Sequence, residues 1–223
     1  MKNKKNTALI IWLILLCPFS VLAQQNVDSI IRDIRSEFRT IVDNKEKYKQ
    51  VVVDVPPQKL FPYDDDREGD PPDLKKKITY YLENDEIKLV SVFNIWFHWI
   101  YREEIIEYYL KNDQVFFIYQ QLKDIYYNDT NWDEYTTWDG SPTEVTEERF
   151  YYNSDNECVR YLIKKSKGRL SEVENLLQNT VNIEEDCPEV NVHSKIHLFY
   201  EENIDVLFER YRKHVDITTS IQD

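Results

Sequence analysis

The chain has 223 residues, with 28 Lys and Arg against 41 Asp and Glu, a formal net charge of −13 and only three glycines. A field of that sign repels phosphate backbones and anionic lipid, which argues against nucleic-acid binding and adsorption to acidic membranes. Gly69, Gly140 and Gly168 are too scattered for a phosphate-cradling loop or a dinucleotide fingerprint, so the common nucleotide enzymes are excluded.

Residues 1–23 read as an export signal. Lys2, Lys4 and Lys5 form its positive front, Ala8 to Leu16 its apolar stretch, and Val21-Leu22-Ala23 an A-x-A-like cleavage site before Gln24. The apolar stretch is short for a membrane span and no later one qualifies, so no transmembrane span is expected. Lipoprotein anchoring through Cys17 wants a small residue before the cysteine, and Leu16 is bulky, so soluble export to a periplasmic or secreted location is favoured. Cleavage leaves 25 basic residues against 41 acidic, a balance of −16, and one domain over 24–223.

The first mature element is an amphipathic helix, with Val27, Ile30, Ile31, Ile34, Phe38, Ile41 and Val42 at three- and four-residue spacing. Tyr48 to Val55 reads as a strand ended by Pro56-Pro57. Three similar passages follow: Tyr80-Tyr81-Leu82-Glu83-Asn84-Asp85, Tyr108-Tyr109-Leu110-Lys111-Asn112-Asp113, and a looser Phe150-Tyr151-Tyr152-Asn153-Ser154-Asp155. Asn-Asp tolerates the positive φ of a tight turn, so each passage predicts a hairpin, spanning about 77–92, 100–121 and 147–164. The aromatic, β-branched run Ile87 to Tyr101 predicts strands around a bend. Residues 124–146 form a polar and aromatic insertion with Gly140 and Pro142 as turn markers. Ser171-Glu172-Val173-Glu174 reads as a capping box for a helix with Val173, Leu176 and Leu177 inward. Alternation from Val190 to Leu198 predicts a strand. Ile204, Leu207, Phe208, Tyr211 and Val215 mark a last helix, with a frayed tail after Ile217. The expected class is α+β: an antiparallel meandering sheet with an N-terminal amphipathic helix and C-terminal helices packed on it.

The runs KKITYYLENDEIKLV, EYYLKNDQVFFIYQ and EERFYYNSDNECVRYLI resemble those of uncharacterised exported bacterial proteins with Tyr-Tyr-x-x-Asn-Gly hairpins and a late arginine, here Arg160. More distantly they are similar to MORN-variant hairpin repeats. Aspartate replaces the usual turn glycine at Asp85 and Asp113. The resemblance covers about residues 75–164, implies a meander and export, and carries no known activity.

Cys158 and Cys187 survive signal cleavage, and an exported chain is expected to pair them in a disulfide. The acidic loop Asp64-Asp65-Asp66-Arg67-Glu68-Gly69-Asp70 starts like a calcium loop, but Pro71-Pro72 follow and Lys75 stands where a bidentate glutamate belongs, so a solvated loop is expected. His193 and His197 lie four apart, yet with both cysteines paired no zinc site is expected. The signatures Gly-x-Ser-x-Gly and His-Glu-x-x-His are absent from the sequence. No catalytic residue, metal or cofactor is assigned. Tyr126, Tyr127, Trp132, Tyr135 and Trp138 crowd the insertion; they either cover the sheet or form a contact surface, and Trp132, Tyr135 and Trp138 are the ligand-binding candidates. The reading is an exported, non-enzymatic binding or scaffolding module of the cell envelope, with an unknown protein or carbohydrate ligand. The alternatives are a carboxylate-dependent carbohydrate hydrolase and a secreted enzyme inhibitor.

Overall fold

The computed structural model describes residues 27–58, 74–97, 100–126, 140–188 and 203–220. Residues 27–44 form helix α1, which tightens into a 3-10 turn at Lys45–Lys47. The strands are β1 (Lys49–Gln58), β2 (Leu74–Glu83), β3 (Glu86–Phe97), β4 (Ile100–Lys111), β5 (Gln114–Tyr126), β6 (Pro142–Tyr152) and β7 (Cys158–Arg169). Helix α2 (Leu170–Asn179), the short strand β8 (Ile183–Glu185) and helix α3 (Ile204–Ser220) follow. The eight strands lie in sequence order in one sheet, and every neighbouring pair is antiparallel. The fold is therefore the expected α+β meander.

The repeated passages explain how one sheet is packed on both sides. Asn84, Asp85, Asn112 and Asp113 all have positive φ, between 51° and 65°, as a two-residue primed turn requires. Each hairpin then slips register at the same place in the repeat. Tyr81 and Leu82 face Leu89 and Ile87, Tyr109 and Leu110 face Phe117 and Val115, and Tyr151 and Tyr152 face Arg160 and Cys158. Lys88, Phe116 and Val159 are thus the extra residues of three equivalent bulges. Because strand side chains alternate, the paired aromatics divide between two faces.

Tyr80, Tyr108 and Phe150 join Leu82, Leu110, Ile118 and Tyr152 on the face covered by α3, against Ile204 and Leu207. The Tyr80 hydroxyl donates to the Leu207 carbonyl at 2.8 Å, and its ring lies 5.0 Å from that of Tyr211. Tyr109 and Tyr151 join Leu89, Phe117 and Leu162 on the opposite face, beneath Ile31, Ile34 and Ile41 of α1. Phe38 stands 4.9 and 5.0 Å from Tyr109 and Phe117. Helix α2 covers the far end of this same face, with Val173 and Leu177 on Val145. Burying each side chain of this size stabilises the fold by about 1.5–3 kcal/mol, so all three helices are held by ordinary core packing.

Several boundaries differ from expectation. β1 continues through Pro56-Pro57 to Gln58, with a register irregularity after Val55; among the described strands it is an edge, where a missing donor is tolerated. Val42 is 42% exposed because Ile41 takes the inward position and the next residue rotates away. The capping box is not formed. α2 begins directly at Leu170 after Arg169, whose side chain makes no cap, and the Leu170 amide donates to the Ser141 carbonyl at 2.9 Å. Ser171 therefore falls inside the first turn, and Leu176 is 43% exposed instead of inward. The insertion is shorter than 124–146, since β5 runs to Tyr126 and β6 starts at Pro142. α3 extends to Ser220, past the expected fraying point. The expected strand 190–198 lies outside the described residues.

Candidate functional site

The hairpin tips and the first half of α1 enclose a cleft of about 340 Å³. Its floor is apolar: Ile30 and Ile34 from α1, Val115 and Phe116 from β5, and Tyr152 at the end of β6. The rim carries Asp33 and Glu37 from α1, Lys111, Asn112 and Gln114 from the second tip, and Asn153 and Ser154 from the third. The repeat builds this shape, since Phe116 is the bulge residue of the second hairpin and packs half-buried against the α1 core. Glu37 accepts from Lys111 Nζ at 2.7 Å, which ties the helix to the tip. The Asn112 backbone amide donates to Glu86 at 3.0 Å, linking the first and second tips. The third tip is longer: Asn153 Oδ1 accepts from the amides of Asp155 and Glu157, both at 2.9 Å, and Asn156 takes the positive φ. A concave, largely apolar hollow with a few convergent polar groups is the ordinary form of a small-ligand site.

The second hollow is polar, at Val159, Arg160, Glu184, Glu185, Asp186 and Cys187. Cys158 and Cys187 form a disulfide with Cα atoms 5.9 Å apart, which fastens the chain after β8 to the start of β7. Arg160 donates to Glu184 at 2.6 Å beside it.

Both sheet faces carry polar rows that the sequence analysis did not anticipate. On the α3 face, fully buried Glu104 accepts from Asn94 Nδ2 at 2.8 Å and from Gln120 Nε2 at 2.9 Å. Asn94 and Gln120 are themselves buried, and their carbonyl oxygens have no hydrogen-bond partner among the described residues. Arg102 and Asp124 form a bidentate pair nearby, and this hydrogen bonding raises the Arg102 pKa above its usual value. On the α1 face, Glu107 accepts from Lys45 at 2.8 Å and from the Tyr109 hydroxyl at 2.6 Å. Glu147 is ion-paired with Arg149 and, at 3.7 Å, with Lys164, and it accepts from Tyr119 at 3.2 Å.

A hydrolase needs two carboxyl groups flanking one bond. The two buried glutamates of the sheet, Glu104 and Glu147, differ in strand parity and project from opposite faces, so no single cleft holds both. Glu148, which shares the Glu104 face, already accepts from the Tyr161 hydroxyl.

The ligand-binding candidates Trp132, Tyr135 and Trp138, the acidic loop 64–70, and His193 and His197 lie outside the described residues. The β5 and β6 ends that flank the insertion sit at the opposite end of the strands from the cleft. Among the described residues no group of three or more His, Cys, Asp and Glu is placed to hold a metal, and no helix is long and apolar enough to cross a membrane. Comparisons with family models, with curated proteins and with solved structures gave no match.

Proposed function

We propose that the chain is an exported, non-enzymatic binding module of the cell envelope, and that it seats a carbohydrate in the cleft between α1 and the hairpin tips. The observation that carries this reading is the cleft itself, an apolar floor containing Phe116 with amide, hydroxyl and carboxylate groups around its rim. A pyranose has the same division, with C–H faces for the floor and hydroxyls for the rim. The volume of the hollow, about 340 Å³, falls in the range of small-ligand sites. The disulfide is compatible with an oxidising destination, in keeping with the export signal. Trp132, Tyr135 and Trp138, in the sequence between β5 and β6, are a second proposed contact.

Amide-resolved NMR titration with cellobiose, maltose and diacetylchitobiose tests the assignment. Shifts should cluster at residues 30–37, 111–116 and 152–154, and Phe116→Ala should weaken them at least several-fold. Shifts confined to the β5–β6 end, and lost in a Trp132→Ala, Trp138→Ala double variant, would transfer the site to the insertion. Silence with all three sugars would remove the carbohydrate reading.

A further inference from the structure

The rim charges of the cleft do not balance. Asp33 and Glu37 stand four residues apart on α1 and both line the cleft, so two like charges face the same opening. Lys111 neutralises Glu37. Asp33 has neither an ion-pair nor a hydrogen-bond partner among the described residues, and the remaining rim groups Asn112, Gln114, Asn153 and Ser154 are uncharged. The cleft therefore presents one uncompensated carboxylate beside an apolar floor, on a chain whose net charge is −13. An anionic ligand meets repulsion from both the local charge and the surrounding field. A neutral sugar leaves Asp33 as it is, whereas a cationic group near the rim supplies the missing partner.

Resting on the carbohydrate reading above, we propose that the preferred ligand is an amino sugar with a free, protonated amine. Its ring lies over Phe116 and Ile34 and its ammonium pairs with Asp33. Side-chain amides of Asn112 and Gln114, which make no other hydrogen bond among the described residues, are positioned for the ring hydroxyls. Acetylation of that amine would abolish the charge and the preference with it, so the site discriminates deacetylated from acetylated sugar.

Glucosamine and glucose provide the test, because they differ only in an ammonium in place of a hydroxyl. In NMR titrations at low salt, glucosamine should bind about three- to fivefold tighter than glucose, the upper part of what a single exposed charge pair contributes. The advantage should shrink at high salt. Asp33→Asn, a change at an exposed helix position, should bring the two sugars within a factor of two of each other. Equal binding of both sugars by the unaltered protein would overturn the amine preference and leave the carbohydrate site standing. A preference that persists in Asp33→Asn would overturn the role of Asp33. Failure of both sugars to perturb the cleft would overturn the inference together with the reading beneath it.

Discussion

Replacing Glu104 by Ala tests the buried polar row most sharply. The carboxylate is fully buried and receives one amide donor from β3 and one from β5, at 2.8 and 2.9 Å. A hydrogen bond to a charged group contributes about 1.5–3 kcal/mol, so losing both should cost about 3–6 kcal/mol. That is a large part of the roughly 5–15 kcal/mol that holds a domain of this size together. Glu104→Gln keeps the shape but offers one acceptor and one donor, so it should cost about half as much. Replacing the three side chains together with Leu removes the unpaired amide oxygens as well, and should recover most of the loss. Urea unfolding followed by circular dichroism, with slopes compared to confirm two-state behaviour, reads each difference. A loss under about 1 kcal/mol for Glu104→Ala would refute the argument that the amides depend on this carboxylate.

Removing the disulfide with Cys158→Ala and Cys187→Ala frees a 29-residue separation and should lower stability by about 3.6 kcal/mol on the chain-entropy model, measurable as a fall in urea midpoint. Alkali should also destabilise the fold. Burial raises the phenol pKa of Tyr109, Tyr152 and Tyr161 above the ordinary 10.0, helped by Glu107 at Tyr109 and by Glu148 at Tyr161. The folded state holds those protons more tightly, so this stabilisation is complete below pH 10 and declines as pH rises toward the folded-state values. The slope should approach about 1.4 kcal/mol per pH unit for each tyrosine, seen in urea titrations alongside tyrosinate absorbance. Asp85→Gly and Asp113→Gly should each raise stability by about 0.5–1 kcal/mol, because glycine enters positive φ without a Cβ clash; a loss on thermal unfolding would contradict the turn assignment.

Much of the architecture was legible because its signals are local. Asn84-Asp85 and Asn112-Asp113 announce positive-φ turns, and the spacing from Val27 to Ile41 announces a helix, without reference to the rest of the chain. The aromatic pairs were legible as strand but not as a two-sided packing device, since the division of Tyr80 from Tyr81 depends on cross-strand register. β8 was missed because three exposed residues carry no periodicity. The capping box failed for a tertiary reason: β7 feeds straight into α2, and the Leu170 amide finds Ser141 instead. The cleft was invisible for the same kind of reason. Asp33, Phe116 and Ser154 are far apart in the chain and meet only because α1 crosses two tips. The aromatic crowding at Trp132 to Trp138 is a strong sequence signal, whereas a hollow lined by ordinary residues is not.

A crystal structure of the protein grown with the β-1,4-linked glucosamine dimer tests the central claim most directly. The account predicts a sugar ring over Phe116 between α1 and the second and third hairpin tips, with its amine within ion-pair distance of Asp33. A dimer bound at the β5–β6 end, with the cleft beneath α1 holding no sugar, would contradict it.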